Sequence, residues 1–230
     1  ENILRFYVYF SQPMAEGDFL KHIRLEHVAS GTDLTGVFFD NIYELWSADR
    51  KRITLLVDPG RVKLGLQANI AQGRAFRAGE EYRLHVRASW KTIDGRALNE
   101  SFTKTFRAGG EDRVRVDPRT WTLSLPRPGT REALVVDFGE PVDHVSVGHF
   151  LRVVSARDEA LPGTWQLMPD ERRARWTPAQ AWTAVVEEHR LVVDRRFEDI
   201  AGNNVDAALD HRVGELDSRV DKRAIIRPFR

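Results

Sequence analysis

Apolar and polar residues alternate in short runs along this chain, and that alternation sets the reading of its fold. In RFYVYF, Phe6, Val8 and Phe10 fall on one side and Arg5, Tyr7 and Tyr9 on the other. This is the period of a strand with one face in a core. LVVDF repeats it with Leu134, Val136 and Phe138. Turn signals recur about every 10 residues and long helical periodicity is nearly absent, which predicts antiparallel β-sandwiches. The one helical candidate, AEGDFLKHI (Ala15 to Ile23), reads as a short turn before the next strand.

The pattern is written twice. Phe10 precedes Pro13 as Phe138 precedes Pro141, and HIRL from His22 falls on FLRV from Phe150, an offset of about 128. EEYRLHV from Glu80 then matches EEHRLVV from Glu187 at an offset of about 107, with Trp90 on Phe197 and IDG at Ile93 on IAG at Ile200. Each copy is expected to close on one more strand, FTKTF from Phe102 and ALDHRV from Ala208, with the tail AIIRPF as a further strand candidate. Internal repetition of this kind predicts two domains of about 100 residues each. They are placed at 1–110 and 119–230, joined by a charged linker at 111–118 within GGEDRVRVDP.

The motifs resemble the bacterial Ig-like domains of the SbsA type. FSQPM (Phe10 to Met14), YRLHV (Tyr82 to Val86) and the Phe-containing closing strand carry the likeness in the first copy. FGEPVD (Phe138 to Asp143) and DIAGNNV (Asp199 to Val205), similar to the family's D-x-x-G-N turn, carry it in the second. The first copy departs at TIDGRAL (Thr92 to Leu98), and the second has Val142 where Met is usual. The resemblance implies an all-β fold of two tandem immunoglobulin-like, Greek-key β-sandwiches. It also implies an extracytoplasmic setting, with a spacer or binding role and no catalytic residues to carry over.

Composition narrows the function classes. Hydrophobic residues at 42% and charged residues at 30% describe a folded globular chain. A net charge of +1 argues against a nucleic-acid binder. No apolar run approaches the roughly 18 residues of a membrane span. Cysteine is absent, which excludes disulfides, thiolate metal sites and cysteine catalysis. The chain begins with Glu1 rather than Met, as a mature or trimmed product would, and shows no signal peptide. No G-x-S-x-G, H-E-x-x-H or P-loop is present, and no cofactor is implied.

Because the offset falls from about 128 to about 107, the first copy holds about 21 extra residues. They are expected around Val37 to Lys51 and, for about 12 of them, in the basic stretch PGRVKLGLQANIAQGRAFRAG at 59–79. The latter reads as a loop insertion without which the second copy folds. Its Arg61, Lys63, Arg74 and Arg77 suit an acidic partner, an envelope protein or an acidic glycan. Leu64, Leu66, Ile70 and Phe76 are candidates to anchor it against the sheet or to present an apolar patch. The competing reading is a loop that covers a sheet edge.

Trp46, in the region without a counterpart, is kept as a stacking platform for a sugar, whereas Trp90 reads as core because it matches Phe197. The expected function is therefore a non-catalytic binding or spacing module at a bacterial envelope, with Trp46, Arg61, Lys63, Arg74 and Arg77 as contacts. The alternative is a secreted enzyme or metal-handling protein with a loop-built site in EPVDHVSVGHF. There Asp143, His144 and His149, beside Glu140, are candidate zinc or copper ligands.

Overall fold

A computed structural model describes residues 2–40, 43–63, 66–185, 187–209 and 224–229. The chain forms two compact units, Glu1–Asp112 and Arg113–Arg230. The first contains β1 (Arg5–Tyr9), β2 (Ile23–His27), β3 (Thr32–Leu34), β4 (Leu45–Trp46), β5 (Arg52–Leu56), β6 (Glu81–Val86) and β7 (Phe102–Arg107). They pair antiparallel as two sheets, β1-β5-β4 and β3-β2-β6-β7.

The second unit contains β8 (Thr122–Ser124), β9 (Leu134–Asp137), β10 (Leu151–Ser155), β11 (Gly163–Leu167), β12 (Arg173–Pro178), β13 (His189–Val193) and β14 (Ile225–Phe229). These form β8-β9-β12-β11 and β10-β13-β14, again antiparallel. Among the described residues, helix is confined to α1 (Pro59–Val62), α2 (Gln67–Gln72), α3 (His144–Phe150) and 3-10 turns at Phe19–Lys21 and Pro118–Thr120. The protein is all-β.

Strand alternation builds the cores. In the second unit Leu134 and Val136 of β9 and Trp176 of β12 meet Leu151, Val153, Leu191 and Val193 of the other sheet in one apolar cluster. Each such side chain stabilises the fold by about 1.5–3 kcal/mol when fully buried. In the first unit Phe6 of β1 meets Phe106 of β7 at 5.2 Å between ring centroids, joining its two sheets. Ile53 and Leu55 are fully buried beneath them.

The repetition reaches individual backbone bonds. Phe10 N donates to Lys51 O at 2.8 Å, and Phe138 N to Arg172 O at 2.9 Å. Arg87 N donates to His22 O at 2.9 Å, and Asp194 N to Phe150 O at 2.9 Å. Isolated bridges pair Met14 with Thr92 in one unit and Val142 with Asp199 in the other. Met14 and Val142 are both buried, as are Trp90 and Phe197, so the exchanges between copies are exchanges of core volume.

The turn at Asp199 shows why D-x-x-G-N is an effective closure. Its Oδ1 accepts from Ala201 N at 2.7 Å and Asn203 N at 2.9 Å, and its Oδ2 from Asn203 Nδ2 at 2.7 Å. Both side chains are buried, so their polar atoms require these partners. In the first unit Thr92 stands in the place of Asp199, with Thr92 N bonded to Arg96 O at 2.8 Å as Asp199 N is to Asn203 O at 3.0 Å.

Two expectations need refining. The strand that pairs with β13 in the second unit is Ile225–Phe229, in the tail AIIRPF. Ala208 and Leu209 are not in a strand, and the rest of that segment lies outside the described residues. The segment after Asp143, expected as part of a loop-built site, is the helix α3, whose first turn the Asp143 side chain caps by accepting from Ser146 N at 2.9 Å.

Candidate functional site

The segments that most distinguish the first unit lie between its strands. Val57–Glu80 joins β5 to β6, where the second unit needs only the ten residues from Ala179 to Glu188. The remaining extra residues fall between β2 and β5. The long segment is a seated element rather than a loose loop. Asp58 Oδ1 caps α1 by accepting from Gly60 N at 2.8 Å, with Pro59 in the first turn, where its missing N–H is harmless.

Phe76 is buried at 1% exposure and packs on Tyr82 at 5.0 Å, Phe106 at 5.7 Å and Phe6 at 5.9 Å. Tyr82 OH in turn accepts from Arg77 N at 2.8 Å. The insertion therefore supplies part of the core of its unit and is not dispensable as a whole.

The four cations divide by this packing. Arg61 is buried, its Nε donating to Gly73 O at 2.7 Å and its Nη2 to Arg74 O at 3.3 Å, so it ties the two ends of the insertion together. Arg74 is largely buried and ion-paired with Glu111. Arg77 is exposed and Lys63 half-buried. Beside them Leu66 and Ile70 are exposed, Ile70 at 70%. Leu64 lies outside the described residues. Among the described residues, the outward surface of the insertion includes two cations and two aliphatic side chains.

Trp46 is half-buried, with its ring on the core side of the sheet. It packs on Trp90 at 5.7 Å and Phe10 at 5.9 Å, and its Nε1 donates to Glu44 Oε2 at 2.6 Å. It does have a counterpart. Trp46 stands opposite Ile53 as Leu167 stands opposite Ala174, and Leu167 packs on the second core. The ring closes the bottom of the core instead of standing free for a sugar.

Sequence order hides an acidic cleft. Glu16, Asp18, Asp40 and Glu44 line an open depression of about 810 Å³ with Phe19, Lys21 and Tyr43. The carboxylates come from stretches more than 20 positions apart, so no local motif announces them. Most of their charge is already engaged: Asp18 with Lys21 at 2.5 Å, Glu16 with Arg50 at 3.2 Å. Glu44 accepts from Phe19 N at 2.9 Å as well as from Trp46. Beneath the cleft His22 stacks on Trp90 at 5.2 Å, and burial together with nearby Arg87 holds its pKa below the ordinary histidine range.

The metal candidate does not assemble. Asp143 is buried and spends its carboxylate on the α3 cap, while exposed His149 turns its Nδ1 to Val145 O at 3.0 Å. His144 and His149 lie at opposite ends of α3. The three side chains do not bring their ligand atoms to one point.

No helix among the described residues is long and apolar enough to cross a membrane. No family model matches the chain, and no curated protein is similar enough to count as a relative.

Proposed function

We propose that this chain is a non-catalytic pair of immunoglobulin-like modules that binds a partner, or holds other parts apart, at a bacterial cell envelope. The strand order supports the immunoglobulin-like assignment. With the seven strands described in the second unit lettered A to G, its sheets read A-B-E-D and C-F-G, the constant-type arrangement. The first unit keeps the B-E-D and C-F-G parts and adds β3 beside β2.

The observation that carries the binding reading is the insertion. It is anchored through Arg61 and Phe76, and it presents Lys63, Arg77, Leu66 and Ile70 from a rigid base. Loops fixed on a sandwich in this way are where such domains place recognition. An acidic protein or acidic glycan fits the exposed charge.

The test is a crosslinking pull-down from envelope extract with the intact chain and a Lys63→Glu, Ile70→Ser, Arg77→Glu variant that spares Arg61, Arg74 and Phe76. Loss of a captured partner in the variant is expected. Equal capture by both would remove recognition from the insertion, and no capture by either would leave the spacer role.

A further inference from the structure

The outer face of the β1-β5-β4 sheet differs in kind from the same face of the second unit. On β1, Tyr7 and Tyr9 point away from the core, opposite Thr54 and Arg52 of β5. Leu45 of β4 also stands opposite Thr54, and Phe39 N donates to Leu56 O at 2.8 Å to extend the row. The result is a lattice of rings and aliphatic side chains with two arginines, Arg52 and, opposite Leu56 at the far end of β1, Arg5. Tyr9 is 53% exposed, Leu45 44% and Phe39 42%.

The matching positions of the second unit are Val135 and Asp137 on β9, Arg173, Arg175 and Thr177 on β12 and Gln166 on β11. That face is polar and internally satisfied. Arg173 Nε donates to Asp170 at 2.8 Å, and Arg175 Nε to Gln166 Oε1 at 2.9 Å. One scaffold thus carries a solvated face in one copy and an aromatic, aliphatic face in the other.

Arg52 marks what the face accepts. Its guanidinium lies over the Tyr7 ring at 5.6 Å, and its Nε is shielded from solvent with no hydrogen-bond partner. A guanidinium stacked on a ring and ion-paired with no carboxylate among the described residues suits a carboxylate. Tyrosine and arginine amid apolar surface is the composition of binding hot spots.

We propose that this face is a docking surface for a protein partner that presents a carboxylate within an apolar patch. Leu45 and Leu56 favour a protein over a glycan, because aliphatic groups offer sugar hydroxyls no hydrogen bonds. A second copy is disfavoured by charge, since a two-fold contact through this face brings Arg52 toward its own mate. The proposal rests on the reading of the chain as a binding module, and it places a second recognition surface apart from the insertion.

The test places a photoreactive benzoylphenylalanine at Leu45 of the full chain and, as control, at Gln166. The captured protein is identified, purified and titrated against the chain. Capture alone decides nothing. The expected result is an adduct from position 45 but not 166. Affinity should then fall about tenfold or more in both Arg52→Gln and Tyr9→Ser, and stay within about twofold in Arg173→Gln. Both face variants are checked by thermal melting.

Adducts equal at both positions, an adduct only with a second copy or only with a glycan, or a dissociation constant unmoved by both variants would overturn the proposal. The Lys63→Glu, Ile70→Ser, Arg77→Glu variant should keep this adduct. An adduct lost there and kept in the face variants would overturn the docking face while leaving the insertion reading in place.

Discussion

The imidazole of His22 lies nearly parallel to the Trp90 indole, at 13° between planes, and its Nδ1 is 3.3 Å from Ser89 Oγ. Burial is the largest reason its pKa is lowered, with Arg87 adding to it. The unfolded chain, with an ordinary histidine near about 6.5, binds the proton more readily than the folded one. The stability this ring contributes is therefore complete above about 6.5 and lost as pH falls below it. Chemical denaturation at pH 7 and pH 5 should show the first unit weakening, and His22→Phe, which installs the residue found at Phe150, should remove that part of the loss.

Asp194 behaves differently. Its hydrogen bond to Arg196 holds it at about 2, so its contribution persists until well below the range where His22 has already charged. At Asp199 the expectation is steric and polar rather than titrational. Asp199→Ala would leave the buried Asn203 amide and two backbone N–H groups without their acceptor. A loss of about 1–3 kcal/mol for the second unit, read from the denaturation midpoint, is expected.

At the scale of elements, the insertion and β11 make opposite kinds of demand on packing. Phe76→Ala should destabilise the first unit by about 3–5 kcal/mol, because the ring is enclosed by three others and the space cannot collapse. Lys63→Ala, half-buried at the end of α1, should change the melting temperature little by comparison. In β11 the Cα of Gly163 rests directly on the buried Trp176 ring, so a methyl group there meets the indole and Thr177 O. Gly163→Ala should therefore lower the stability of the second unit by about 1–3 kcal/mol, measured by calorimetry.

The elements also show what a sequence conveys. β1, β6, β9 and β13 are legible because an alternating apolar row has no other use. α3 is not, because HVSVGHF alternates like a strand and its Asp143 cap shows only in the fold. Arg61 was expected among the contacts because arginine is usually at the surface, and only the fold reveals the Gly73 and Arg74 carbonyls that bury it. The partner of Trp46 escaped notice because Leu167 sits at an offset between the two that the conspicuous motifs define.

Across the whole molecule, the two units share backbone bonds at matching positions and differ in particular segments. The shared scaffold lies in backbone bonds at matching positions, and the differences lie in the insertion, the acidic cleft and the outer sheet face of the first unit. The acidic cleft and that face were invisible in sequence order, since their residues come from separate stretches that only strand register brings together. Because Phe76 enters the core, the insertion sets the first unit apart in its packing as well as at its surface.

Native-state amide hydrogen exchange on the intact chain tests the shared scaffold most directly. The paired donors Phe10 and Phe138, Arg87 and Asp194, and Thr92 and Asp199 make equivalent backbone bonds in the two units. Each pair should show strong protection in both members, while the amides of α2 in the insertion exchange faster than any of them. Protection in one member of these pairs and free exchange in the other would contradict a scaffold built twice.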